Sequence, residues 1–370
     1  MGFRSQPKID FKSNDKPRIL ICRFRHLGDV IVSTPLIQQI RKSYPDAHIA
    51  YLTEEKFAPI LERNPYLNQI IPATLHRNPF ESHRAAFRRQ IALIASLRAG
   101  EFDLIIDLFG SFRSALYAFL SGAEFRVGGN PKAERMFYTH FQNHKAPQES
   151  IVERYLNSLK FMGIKIKTQP PEIFITKDER NSAYHYLRSK GLDPEQPIIG
   201  LHPGATWPTK IWDYTNYSQL AQKLSQAGLQ VYVTCRPGEE NITKKIAGGW
   251  IGPVIIGDIL PVRELAAVIK HFFIHVANDC GVMHLSASIG TPTFGIFGPG
   301  EPHVWFPYAL KDGHKAFWQE MDCRPCFTKE CSKGNGACLK AIDHNDVLDE
   351  IIRQVKKHKQ SDSSQLLGED

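Results

Sequence analysis

RILICRF, HIAYLT, QIIPAT and FDLIIDLF are short apolar runs in the first third of the chain. The segments between them repeat apolar residues at helical intervals, as at Phe87, Ile91, Ile94 and Leu97. Strand and helix in strict alternation leave one economical solution, a parallel sheet covered by helices on both faces. The same rhythm restarts after the proline-bearing stretch KTQPPEIFITKDER, with PIIGLHPG, LQVYVTC, PVIIGD, FFIHVAND and PTFGIFG as strands, and YTNYSQLAQKLSQAG and VRELAAVIKH among the helices. The spacing therefore predicts an α/β protein with two doubly wound parallel sheets. The expected boundaries are 1–172 and 173–345 for the two domains, 346–360 for a C-terminal helix, and 361–370 for a polar, disordered tail. A chain of 370 residues suits two such cores.

Composition narrows the class further. Hydrophobic residues are 42% and charged residues 23% of the chain, as in a soluble globular enzyme. No apolar run approaches the ~20 residues that a membrane span needs. The start, MGFRSQPKIDFKSNDKP, is polar and has no apolar signal core, so a cytoplasmic protein is expected; its likeness to a myristoylation signal is read as chance. Net charge is +8, and the excess is one-sided: residues 1–175 carry 25 Lys and Arg against 16 Asp and Glu. Such a half attracts a polyanion or an anionic membrane surface.

In open parallel sheets, ligands bind beyond the carboxyl ends of the strands, so the loops there are where chemistry is expected. They read RHLGD, HPGATWPTKIW, NDCGVMHLSA and GPGEP. Gly204, Thr206 and Lys210 combine a strand-end glycine, a hydroxyl and a cation, which suits a diphosphate; the Walker spacing is missing. Gly281, after Asp279 and Cys280, opens a helix whose amides suit the same anion, and His284 lies one turn in, as a ligand contact or as a core histidine. No D-x-D doublet is present for a divalent metal. Asp29 follows Gly28 at a strand-to-helix turn, where it could cap the helix VIVSTPLIQQIRKS or act as a base.

RFRHLGDVIVSTPLIQQIRKSYPDAHI, LHPGATWPTKIW, NDCGVMHLSASIGTPTFGIFGP and the closing cysteine cluster together resemble glycosyltransferase family 9, the bacterial lipopolysaccharide heptosyltransferases. The R-x-R-H-x-G-D opening is most similar to the type III branch. The resemblance runs from about residue 18 to about residue 355. It implies a GT-B fold of two facing Rossmann-like domains, with the acceptor on the N-terminal domain and the nucleotide sugar on the C-terminal one. It implies an inverting transfer of heptose from ADP-heptose to the lipopolysaccharide inner core, with no cofactor required for catalysis, by a monomer at the cytoplasmic face of the inner membrane. On the matching positions Asp29 is the catalytic base. Gly204, Thr206, Lys210, Asp279, Gly281 and His284 bind the donor, with Glu240 at the ribose and Glu239 its rival. Arg25, His26, Arg113 and Arg135 are the acceptor contacts, suited to carboxylates and phosphates.

Cys323, Cys326, Cys331 and Cys338 stand in the pattern C-x2-C-x4-C-x6-C, whose thiolates could close a structural zinc site. The Arg-bearing segment SHRAAFRRQIALIASLR could lie on an anionic membrane, although packing on its own sheet is the simpler use of its apolar face. A transferase of the same fold with another donor or a protein acceptor is the alternative. A nucleic-acid binder or a dehydrogenase fits poorly, because no G-x-G-x-x-G follows a leading strand and no aromatic platform is present.

Overall fold

The structure is a computed structural model that describes residues 8–11, 14, 16–75, 81–129, 134–142, 149–247, 254–306, 308–326, 328–334 and 336–366. The chain divides into two compact units between Phe174 and Ile175.

The first unit is built on β1 (Arg18–Cys22), β2 (His48–Glu54), β3 (Gln69–Ala73), β4 (Leu104–Asp107), β5 (Phe125–Gly128) and β6 (His140–Phe141). They form one sheet in the order β3-β2-β1-β4-β5-β6, and the paired strands run parallel. The second unit repeats the plan with β7 (Ile198–His202), β8 (Gln230–Cys235), β9 (Val254–Ile259), β10 (Ile274–Asn278), β11 (Thr293–Ile296) and β12 (Lys315–Phe317), in the order β12-β11-β10-β7-β8-β9. Both are the doubly wound Rossmann order, in which the strand sequence reverses beside the first strand. That reversal falls between β1 and β4 in one unit and between β7 and β10 in the other, and it defines where a ligand crevice opens.

Every run read as a strand is one. Three strands escaped the reading: β5, β6 and β12 are short and lie at or next to a sheet edge, where FRVG, HF and KAF have too little apolar material to stand out. The last helix, His344–Leu366, is longer than expected and takes in part of the segment read as a disordered tail; residues 367–370 lie outside the described ones. Its Val347, Ile351 and Val355 close the core of the second unit, beside Trp212, whose indole N–H donates to the Ile342 carbonyl.

The helix His83–Ala99 corrects a second expectation. Leu97 is buried and Leu93 and Ile94 pack against the core, but Phe87 and Ile91 are 66% and 50% exposed. Only the C-terminal half of the stripe meets the sheet; the N-terminal half turns its apolar residues outward.

Candidate active site

Asp29 sits at the switch point of the first unit. β1 ends at Cys22, and a short helix, Leu27–Val32, follows. It stops at Ser33, whose hydroxyl donates to the Val30 carbonyl at 2.7 Å, and a second helix, Thr34–Ser43, starts with Pro35 in its first turn. Asp29 is therefore the third residue of a helix capped by His26, and not the cap of one long helix. Gly28 is buried inside that helix and is not a left-handed turn.

The carboxylate is held from two sides. The His26 backbone N–H donates to Oδ2 at 2.7 Å. Arg23 Nη2 pairs with Oδ1 at 2.8 Å, and the Tyr155 hydroxyl donates to the same oxygen at 3.3 Å. Arg23 is itself fixed: Nη1 donates to the Leu108 carbonyl at 2.8 Å, beyond β4, and the rings of Phe109 and Tyr155 flank its guanidinium. Burial works against the charge on Arg23, yet Tyr155 and Asp29 hold its pKa above the ordinary value. A half-buried carboxylate held by a fixed cation can receive a proton in a defined direction.

His26 is exposed, and burial of part of its ring pushes its pKa down, with Arg23, Arg25 and Lys56 adding to this against the pull of Asp29. Arg25 Nε pairs with Glu54 Oε1 at 2.8 Å, and Lys56 holds the other oxygen at 3.0 Å. Glu54 was missed in the sequence reading, although its place at the carboxyl end of β2 was the available signal. The structure thus gathers Arg25, His26 and Asp29 within one turn. Arg113 is anchored separately, donating to the Leu75 carbonyl at 2.7 Å. Arg135 lies in the short 3-10 turn Glu134–Phe137, and its side chain is outside the described residues.

In the second unit, Lys210 and Asp279 meet beyond β7 and β10, with Nζ and Oδ2 2.6 Å apart. Asp279 is 3% exposed, and Gly300 packs so closely that a Cβ there would fall 2.5 Å from Oδ2. Asn278, absent from the sequence reading, clips the Lys210 loop: its Oδ1 accepts from Trp212 N–H and from Tyr217 hydroxyl, each at 3.1 Å, and its Nδ2 donates to the Pro203 carbonyl at 2.8 Å. Thr206 is exposed, and Gly281 opens the helix Gly281–Ser288 directly after Asp279 and Cys280.

The neighbouring Glu239 and Glu240 differ in burial. Glu239, not Glu240, lies against the strand-end loop: it is 4% exposed, pairs with Arg236, and would collide with any Cβ at Gly204. Glu240 is the exposed first residue of the next helix. Burial pushes the Glu239 carboxyl up, against the pull of Arg236. His284 is 4% exposed, and its Nδ1 lies 3.0 Å from the Tyr308 hydroxyl, with the two rings in tilted contact. The structure gives the zinc expectation no support. Among the described residues no three His, Cys, Asp or Glu side chains form a group able to hold a metal ion. Cys338 packs against the second core from the helix Ala337–Lys340.

Comparison with known proteins bears on the family and the fold. The model of glycosyltransferase family 9 (heptosyltransferase) matches residues 90–336. Lipopolysaccharide heptosyltransferase 3 of Escherichia coli K12 is 28% identical over 77% of this chain and 83% of its own. Heptosyltransferases 2 and 1 of that strain are 26% and 25% identical, so the type III character is not singled out. A family 9 glycosyl transferase from Veillonella parvula superposes with a TM-score of 0.79 at 23% identity, covering 92% of this chain and 97% of that one. The E. coli ADP-heptose lps heptosyltransferase II gives 0.76 at 22%, covering 92% and 99%. The fold is GT-B, and with two thirds of its length matched by the family model the chain belongs to glycosyltransferase family 9, the heptosyltransferases.

Proposed function

We propose that this glycosyltransferase moves heptose from ADP-heptose to the inner core of lipopolysaccharide, with inversion and without a metal. The observation that carries the donor half is the Lys210–Asp279 pair at the switch point of the second sheet. A lysine there can meet the charge that develops on a departing diphosphate, with the amides of the Gly281 helix behind it. Glu239 beside Gly204 is the carboxylate for the ribose, and Thr206 a hydroxyl for the phosphates. On the acceptor side Asp29 removes the proton of the attacking hydroxyl, and Arg25, His26 and Arg113 face the acceptor's anionic groups. Arg135 is retained as a contact on the family match alone.

Thermal shift against a panel of nucleoside diphosphates tests the donor half, with ~2.7 kcal/mol of stabilisation expected for ADP at a hundredfold excess over Kd. Turnover of ADP-heptose with a Kdo-bearing acceptor in the presence of chelator, and the anomeric configuration of the product, test the rest. A retained configuration, or loss of turnover restored by a divalent cation, overturns the mechanism.

We further propose that the protein works as a monomer, in peripheral contact with anionic lipid. No described helix is long and apolar enough to cross a membrane. The helix His83–Ala99 has no acidic residue, and it presents the exposed Phe87 and Ile91 on the same N-terminal half as the exposed Arg84 and Arg88. Apolar side chains beside cations suit an interfacial site. Phe87→Ser/Ile91→Ser is expected to lower co-sedimentation with phosphatidylglycerol vesicles severalfold at unchanged Tm, and salt to weaken the wild type. Equal binding to neutral vesicles at all salt concentrations counts against the electrostatic part.

A further inference from the structure

The cysteine-bearing loop reaches both loops that make the Lys210–Asp279 pair. The Thr209 hydroxyl, one residue before Lys210, donates to the Thr328 carbonyl at 2.6 Å. Arg324 Nη2 donates to the Gly300 carbonyl at 2.7 Å, and Gly300 is the residue packed over Asp279. One irregular segment thus ties the lysine loop to the loop that covers the carboxylate.

Its packing is open. A cavity of about 640 Å³ lies on the Arg324 side, lined by Gly300, Glu301 and Trp318 among others. Another of about 480 Å³ lies on the Thr209 side, beside Cys331 and Leu339. A segment flanked by space of this size keeps its place through specific bonds more than through dense contact, so removing one bond has somewhere to take effect.

Arg324 is the centre of the arrangement. Its guanidinium lies over the Trp318 ring, 5.1 Å from the centroid. Burial pushes it below its ordinary pKa, while the neighbouring sulfurs of Cys338, Cys323 and Cys326 work the other way. The Thr328 hydroxyl reaches Cys326 Sγ at 3.5 Å, so the second tie also has a cysteine beside it. Cys323, Cys326 and Cys338 are half-buried: a small reagent can reach them, but the product cannot occupy the same space.

We propose that this loop is a thiol-sensitive brace of the donor site, with Arg324 as its positioning residue, so that alkylation of Cys323, Cys326 or Cys338 weakens binding of the nucleoside diphosphate. The inference rests on the donor site assigned above. With a maleimide the chemistry is an addition: the thiolate sulfur bonds to one alkene carbon, the π bond opens, and the proton lost by the thiol is returned to the other carbon. Nothing leaves, and no oxidant is consumed. The bulk added beside Arg324 displaces the guanidinium from Gly300, and the cover over Asp279 loosens.

Calorimetric titration of the full chain with ADP tests this. Arg324→Ala is expected to raise Kd roughly tenfold, with Arg324→Lys in between, since lysine keeps the charge and one donor. Apo Tm and kcat at saturating donor stay near wild type, a split that general loss of structure does not produce. Wild type labelled with N-ethylmaleimide at these cysteines, as mapped by peptide mass, shows a comparable rise. Cys323→Ser/Cys326→Ser/Cys338→Ser keeps its affinity through the same treatment. Should that triple variant not fold, linkage gives the same answer in wild type: bound ADP must slow labelling of these three thiols. Full labelling with unchanged Kd and no protection by ADP overturns the brace. Lys210→Met separates the two levels. If ADP binding ignores Lys210, the donor site itself is wrong; if binding needs Lys210 but ignores Arg324 and the label, only the brace fails.

Discussion

Asp29→Asn lowers kcat by about 10² to 10⁴, the range for a lost general base. A sugar hydroxyl is a poor nucleophile at neutral pH, and an inverting displacement needs a base opposite the leaving group. The geometry sharpens what else the variant does. Asparagine still accepts from the His26 N–H, so the turn at the start of Leu27–Val32 persists. It cannot neutralise Arg23, which keeps only the Leu108 carbonyl and two flanking rings. A buried cation left in that state costs about 1–3 kcal/mol. Each kcal/mol lowers Tm by about 2–4 °C in a domain of this size. The variant is therefore expected to be folded, to melt several degrees lower and to bind ADP as wild type does, because the residues assigned to ADP belong to the second unit. Tyr155→Phe removes one contact to the same oxygen and leaves the carboxylate in place, so its kcat falls far less. Wild-type turnover in Asp29→Asn would leave that carboxylate a structural group only.

Lys210→Ala and Asp279→Asn each remove the ADP-induced thermal shift and lower kcat/KM by about 10² to 10³, as expected for losing a preorganised group at developing charge. The two differ in the apo protein. Removing Lys210 strands a carboxylate that is 3% exposed, so this variant also loses intrinsic stability. Asp279→Asn leaves a lysine that still reaches solvent and is the milder change. Differential scanning fluorimetry with and without ADP, followed by steady-state kinetics on both variants, checks the prediction. Unchanged kcat and KM in both would place the diphosphate elsewhere.

Strand-by-strand periodicity determined the fold. Each long, doubly buried strand was readable because a parallel sheet with helices on both faces demands an apolar run, and the strand-end loops stood out because polar residues and glycines break those runs. Asp29, Lys210 and Asp279 drew attention for the same reason: each falls in the loop or turn that follows a strand, where an open parallel sheet binds its ligands. What tertiary structure alone decided concerns residues far apart in sequence or one step apart along it. Glu239 and Glu240 are indistinguishable as letters, and only the start of the helix Glu240–Ala247 turns one inward against Gly204 and the other to solvent. Arg23 and Tyr155, 132 positions apart by number, share the Asp29 carboxylate only because β1 and the helix Ile151–Leu156 converge in the folded unit. Phe87 and Leu97 lie on one apolar pattern, yet one is exposed and the other buried, because only the C-terminal half of the helix packs on the core. The four cysteines show the same limit from the other side: spacing suggests a ligand set, but where the thiols go depends on what the chain packs against, and here Cys338 packs on the second core while Arg324 donates to the Gly300 carbonyl.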